Sequence, residues 1–218
     1  MPYRETQRTR ERLAANRERI VDAAARQVAA GGYSSASIQA VAEGAGVATG
    51  SVYRHFPSKA ELFAEVFRRA SQRELDVVSE VMADSSLPAA ERVAAAVEAF
   101  ARRALAAPVM AYALLAEPVD PAVEAERLAF RRGYRDSFAS ALRDGIAAGE
   151  LPEQDADVVA AALVGALGEA LLGPLAPRPN GSAARRGSEA LVAGLIQFCL
   201  NAIAAREEKA HVGARSHA

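Results

Sequence analysis

The sequence predicts an all-α protein: a small N-terminal helix-turn-helix domain of three helices, followed by a larger helical domain. Three observations carry this. Half of the 218 residues are apolar (51%) but only 6% are aromatic, and the chain is very rich in alanine, which has the highest intrinsic helix propensity. Alternating apolar and polar runs bounded by turn residues are almost absent, which argues against strands. Finally, Ser37–Lys59, SIQAVAEGAGVATGSVYRHFPSK, reads as two short helices joined by a tight turn, with a third helix opening just after Pro57. The expected organisation is a basic arm (1–15), a helix-turn-helix domain (16–70), a larger helical domain (71–206) and a disordered tail (207–218).

Residues 1–15 carry four arginines and little apolar content. They read either as a solvated tail or as a basic arm that touches phosphate or the minor groove. Asn16 is a candidate cap for a helix over 17–30 with Ile20, Ala24 and Val28 inside, ended by Gly31-Gly32. Ser37 caps the next helix, Ile38 to Gly44, and its hydroxyl with the neighbouring free N–H groups suits a phosphate. Gly46 supplies the positive φ the turn needs. Val41, Val47 and Val52 form the inner side of the motif. Thr49, Ser51, Tyr53, Arg54 and His55 are left to face outward, a short, polar and partly basic set suited to the major groove. Ser58 and Glu61 have capping-box spacing. Lys59 lies in the first turn of the following helix, where a cation opposes the dipole and an apposed phosphate would account for it.

Further on, Ser86 or Asp84 is expected to cap a helix over 89–106, and Pro108 starts a short apolar helix through Leu115. Asp120 caps a long helix from Pro121 to about Ala148. Asp155 or Asp157 caps an almost wholly apolar helix to Leu172, which must be buried on more than one side. The proline- and glycine-rich stretch 173–188 reads as a mobile loop. Ser188 caps a last helix with Leu191, Leu195, Ile196, Phe198, Cys199 and Ile203 inside.

Charge is unevenly spread. Residues 1–69 hold 11 Lys/Arg and 7 acids, a net of +4, and the remainder holds 15 and 20, a net of −5. A basic first third suits a nucleic-acid module joined to a different domain.

The block from Arg17 to Phe67 resembles the DNA-binding domain of the TetR family of bacterial transcriptional regulators. The run GVATGSVYRHFPSK carries the resemblance. It implies a homodimer of helical subunits that represses a promoter and is released by a small ligand. It further implies that Thr49, Gly50 and Ser51 approach bases, that Tyr53 and His55 contact the backbone, and that Lys59 binds phosphate. Ser37 and Gln39 match contacts of the second helix, while Val47, Val52 and Phe56 match core positions. Ala48 departs from the family pattern, where a small hydroxyl residue is common.

The function expected is therefore a ligand-responsive repressor that binds a palindromic double-stranded DNA operator as a homodimer. The two apolar helices near 156–172 and 189–205 read either as intramolecular core or as a two-fold four-helix interface, and the resemblance together with the small residues on the first favours the interface. The effector is expected to be a hydrophobic or amphipathic small molecule in a pocket near Phe100, Met110, Tyr112, Phe130, Tyr134 and Phe138, a set that reads equally as plain core. The alternative is a helical small-molecule-binding protein or enzyme with a structural hairpin. No nucleophile–base pair or phosphate loop supports catalysis. One cysteine excludes an internal disulfide, and three scattered histidines give no metal spacing. No cofactor is expected. The absence of a signal-like segment and of 18 unbroken apolar residues predicts a cytoplasmic protein with no membrane partner.

Overall fold

The computed structural model describes residues 7–176 and 187–204, and these form nine helices and no strand. In chain order they are α1 (Gln7–Ser35), α2 (Ile38–Ala45), α3 (Thr49–His55), α4 (Lys59–Ala83), α5 (Ala89–Ala106), α6 (Pro108–Leu115), α7 (Pro121–Ala147), α8 (Ala156–Leu175) and α9 (Ser188–Ala204). Most of the expected 173–188 loop, the tail from 205 onward and residues 1–6 lie outside the described residues.

Two apolar cores organise the chain. The smaller gathers Ile20, Val28, Val41, Val52, Leu62, Phe63 and Phe67 from α1–α4, and it also takes in Ala113 of α6 and Val123 of α7. The larger is built from α5, α7, α8 and α9 around Val93, Val97, Leu142, Leu163, Leu171 and Ile203. Helix α4 belongs to both, since its first half supplies Leu62–Phe67 and its second half Val78 and Met82. Full burial of each such aliphatic or aromatic side chain is worth roughly 1.5–3 kcal/mol, so α4 is a beam fixed at both ends. It runs alongside α7, with Ser79 Oγ and Ser137 Oγ 2.8 Å apart.

Several caps differ from the sequence expectation. Helix α1 begins at Gln7, so 7–15 is helical rather than a solvated tail. Asn16 caps nothing there: its Oδ1 accepts from Arg19 (2.9 Å), and Gln7 donates to Glu11 one turn on (3.0 Å). The segment is rich in good helix formers, and such i,i+4 pairs support it. Pro88, not Ser86 or Asp84, occupies the α5 N-cap, and the Ala89 N–H is taken by the Glu150 carboxylate at 2.6 Å. Asp84 instead accepts from Ser86. Asp120 precedes α7 without a side-chain capping bond, because its carboxylate accepts from the Tyr33 hydroxyl. Asp155 does cap α8, accepting from the N–H of Asp157 (3.0 Å) and Val158 (3.1 Å).

Helix α8 is long and apolar enough to cross a membrane by length and composition. Ala160, Leu163, Leu167, Leu171 and Leu175 form the side of α8 set in the larger core. The other side is open: Val158 is 62% exposed, and a Cβ at Gly165 or Gly168 would meet nothing within 4 Å. On α9 the buried stripe is Val192, Leu195, Cys199 and Ile203. Phe198 falls outside that stripe and is 50% exposed in the single chain, unlike the inward position expected for it.

Candidate nucleic-acid interface and apolar cavity

Helix α2 starts at Ser37, whose extended backbone lets its hydroxyl accept from the Ala40 N–H at 3.2 Å. It stops at Gly46, in the left-handed region at φ 64°, ψ 41°. The Gly46 N–H donates to Glu43 O and the Val47 N–H to Ala42 O, both at 3.0 Å, so the closing carbonyls are satisfied within the turn. Ala42 and Ala45 are buried, which lets α3 cross close by. Helix α3 has one buried residue, Val52, and Phe56 seals its end at 4% exposure. Ala48 at its N-cap makes no side-chain capping bond, while Arg54 and His55 lie in its last turn, where positive charge suits the dipole.

The structure sets Ser37, Gln39, Thr49, Gly50, Tyr53 and Arg54 at the exposed outer side of the α2–α3 unit, with Ser51, His55 and Lys59 half-buried at its margin. Burial, reinforced by the charges of Arg54 and Arg17, holds the His55 imidazole below its ordinary pKa. Ser58 caps α4 by accepting from the Glu61 N–H at 3.1 Å. The Lys59 ammonium sits over the Tyr33 ring at 4.8 Å and the Phe63 ring at 5.6 Å. Behind this surface Arg17 lies over the Phe56 ring (4.9 Å) and pairs with Glu65 at 3.1 Å. Glu65, nearly buried, also takes Arg68 and Arg69, and Arg69 reaches on to Glu18 of α1. This network ties the middle of α1 to the first half of α4.

The second feature is a cavity of about 520 Å³ walled by α4–α8. Phe100, Met110, Phe130, Tyr134 and Phe138 line it, whereas Tyr112 packs against the larger core and is not part of the wall. Phe100 and Tyr134 meet edge to face at 5.5 Å. Burial and the neighbouring Glu74 carboxylate push the Tyr134 phenol up, so it stays protonated as a donor. Glu74 itself is held by Arg103 at 2.5 and 2.8 Å.

The wall also carries Arg127, Arg131, Arg132 and Arg135 of α7, which sequence reasoning missed. Arg127, Arg131 and Arg135 recur at four-residue steps beside the Phe130/Tyr134/Phe138 row. The interleaving in AFRRGYRDSF was the available signal, but arginines on a long helix read by default as a solvated face. A volume in the range of small-molecule sites, apolar walls and a few converging polar groups suit an amphipathic ligand. Among the described residues no group of three or more His, Cys, Asp or Glu could hold a metal ion. The Cys199 thiol is pushed up to about 11 by burial, which makes it inert.

Comparison with known proteins agrees with this geometry. Residues 20–66 match the bacterial regulatory proteins of the tetR family, and residues 86–170 match the tetracyclin repressor-like C-terminal domain. The HTH-type transcriptional repressor KstR of Rhodococcus jostii (strain RHA1) is 44% identical over 57 residues, covering 26% of this chain and 27% of that protein. The chain thus matches about a quarter of the length of its curated relatives. Among solved structures, FadR from Bacillus subtilis in complex with stearoyl-CoA superposes with a TM-score of 0.71 at 20% identity, over 85% of this chain and 98% of that one. FadR from Bacillus halodurans gives 0.70 at 20% identity, over 94% and 100%. The two matched segments, set on this nine-helix architecture, make the chain a member of the TetR family of bacterial regulatory proteins.

Proposed function

We propose that the protein is a DNA-binding transcriptional repressor, not an enzyme, that acts in the cytoplasm on a near-palindromic operator. The observation that carries this is the α2–Gly46–α3 unit, which sets a short polar helix on an apolar platform with its outer side exposed. In this reading residues 16–70 form the reading domain and 71–206 the effector and dimerisation domain. Thr49, Gly50 and Ser51 approach bases. Ser37, Gln39, Tyr53, Arg54, His55 and Lys59 engage the backbone.

The homodimer forms through the open sides of α8 and α9. Val158 and Phe198 support this assignment, since exposed apolar patches mark interfaces. The effector is an amphipathic molecule with an apolar body in the cavity and an anionic head against the α7 arginines. Stearoyl-CoA, the molecule in complex with Bacillus subtilis FadR, has that chemistry. Release follows if the effector prefers a dimer whose recognition helices are wrongly spaced for successive major grooves, and equal affinity for both states would shift nothing.

The test starts from duplexes selected by the protein out of a random-sequence library, with binding then titrated against salt. A steep negative log–log slope is expected, and a slope near zero removes the phosphate contacts. Calorimetry with stearoyl-CoA and with 1-octadecanol tests the head group. A preference for the uncharged alcohol overturns that part.

A further inference from the structure

One side chain both lines the cavity and holds the segment that grips the reading domain. Helix α6 ends at Leu115, leaving its last carbonyls without helical partners. Arg127 of α7 supplies them: Nε donates to Leu114 O at 2.9 Å, and Nη2 donates to Ala113 O at 3.0 Å and to Glu117 O at 2.7 Å. Its remaining nitrogen pairs with Glu124 at 2.5 Å. A planar fork suits this divergent set of acceptors, whereas a lysine would reach fewer of them.

The residue so held, Glu117, turns the other way. It is only 7% exposed, and its carboxylate accepts from the N–H of Tyr33 at 2.7 Å and of Ser34 at 2.9 Å. Among the described residues no Lys, Arg or His side chain forms an ion pair with it, and the Tyr33 and Ser34 amides are its hydrogen-bond donors. The approach is possible because residue 32 is glycine: φ is 80° there, and a Cβ would lie 2.9 Å from both Glu117 oxygens. Three residues along the same loop, Asp120 accepts from the Tyr33 hydroxyl. Tyr33 in turn packs edge-on against Phe63 and Phe67 and carries the Lys59 ammonium on its face. Ser37, the α2 cap, follows four residues later.

We propose that Arg127 and Glu117 form the joint through which an occupant of the cavity controls the reading head. Arg127 is the sensing side, and Glu117 grips Tyr33 and Ser34. Both are positioning residues, and the proposal rests on the reading of cavity and DNA-binding surface given above. A molecule that moves Arg127 loosens three carbonyls at and just beyond the α6 end at once and shifts Glu117, and with it the last turn of α1 that follows the kink at Gly32 and leads into α2. Coupling of this kind is reciprocal: the factor by which ligand changes operator affinity equals the factor by which operator changes ligand affinity, commonly about 5- to 150-fold.

The deciding experiment uses the full chain as Arg127→Met and Glu117→Gln, with Arg127→Lys as the milder variant should the methionine protein lose its helical circular dichroism. Residue-resolved amide exchange is read by NMR without any ligand. Both variants are expected to speed exchange at Tyr33 and Ser34 by about tenfold while amides inside α8 and α9 keep their protection. Their effects on affinity for the selected operator should not add in the double variant, because both break one joint. Unchanged exchange at Tyr33 and Ser34 in the folded Arg127 variant overturns the proposal, as do additive effects on operator affinity. With stearoyl-CoA added, wild type should change its operator affinity and Glu117→Gln should not. A response of Glu117→Gln as large as a clear wild-type response also overturns it. A wild type that ignores stearoyl-CoA counts against the effector class alone, because the exchange result judges the joint separately.

Discussion

Gly32→Ala is the sharpest energetic test of the contact between the two cores. At φ 80°, ψ 176° the residue occupies a region that is essentially glycine-only, and placing a side chain there costs about 1–3 kcal/mol. The new methyl would also sit 2.9 Å from both Glu117 carboxylate oxygens, so the carboxylate must retreat. Loss of one of its two amide hydrogen bonds, each involving a charged acceptor, adds about 1.5–3 kcal/mol. The midpoints sum to about 4 kcal/mol, a large part of the 5–15 kcal/mol typical of a whole domain. Urea unfolding at fixed protein concentration measures it. With a slope of about 2 kcal/mol/M the midpoint should fall by about 2 M. The steric part depends on Glu117, so Gly32→Ala combined with Glu117→Ala should be at least 1 kcal/mol more stable than the sum of the single effects implies. A loss below about 1 kcal/mol for Gly32→Ala, or strict additivity in the cycle, would refute the reasoning.

Three further outcomes are expected. Lys59→Ala should weaken binding uniformly across DNA sequences and reduce the salt slope by about one, whereas Thr49→Val should alter base preference; a Lys59→Ala protein that binds all duplexes as wild type does removes the phosphate role. His55 has a pKa held below the ordinary 6.5 by burial and by Arg54 and Arg17. The unfolded chain therefore takes up its proton first, and stability falls as pH drops through 6.5 toward the folded value. Urea midpoints between pH 7.5 and 5.5 should decline less in His55→Gln, and parallel declines contradict the assignment. Phe198→Glu, at a side chain 50% exposed in the single chain, should shift the species seen by analytical ultracentrifugation from dimer to monomer with helical content kept. A dimer that persists moves the interface elsewhere.

Much of the fold was legible because it rests on local rules. Ser37, Gly46, Ser58 and Asp155 take the cap and turn positions their chemistry suggests, and the α5, α6 and α7 starts at Ala89, Pro108 and Pro121 follow from proline and polar punctuation. The outer side of α2–α3 was equally readable, since only Val52 of α3 can turn inward without burying a polar group. What escaped the sequence depends on partners far along the chain. Asp120 looks like a helix cap until Tyr33, 87 residues away, claims its carboxylate. Glu117 looks like a solvated loop acid until the Gly32 backbone opens room for it. The α5 cap at Ala89 is supplied by Glu150, 61 residues on. Tyr112 failed to reach the cavity because a short apolar helix presents several faces of equal hydrophobicity, and composition cannot choose among them.

The way Lys59 is held bears on how strongly salt should act. Its ammonium rests on the faces of Tyr33 and Phe63 rather than on a carboxylate, so no internal ion pair need break when a phosphate arrives. Arg17, Arg68 and Arg69, though counted among the basic residues of the first third, are already engaged in ion pairs with Glu65 and Glu18. Counterion displacement scales with the cations that actually meet phosphates, at about 0.9 per contact on duplex DNA. The basic residues of the first third therefore overstate the salt sensitivity, and the relevant number per subunit is set by the few cations, Lys59 and Arg54 foremost, that reach the surface with their charge uncommitted.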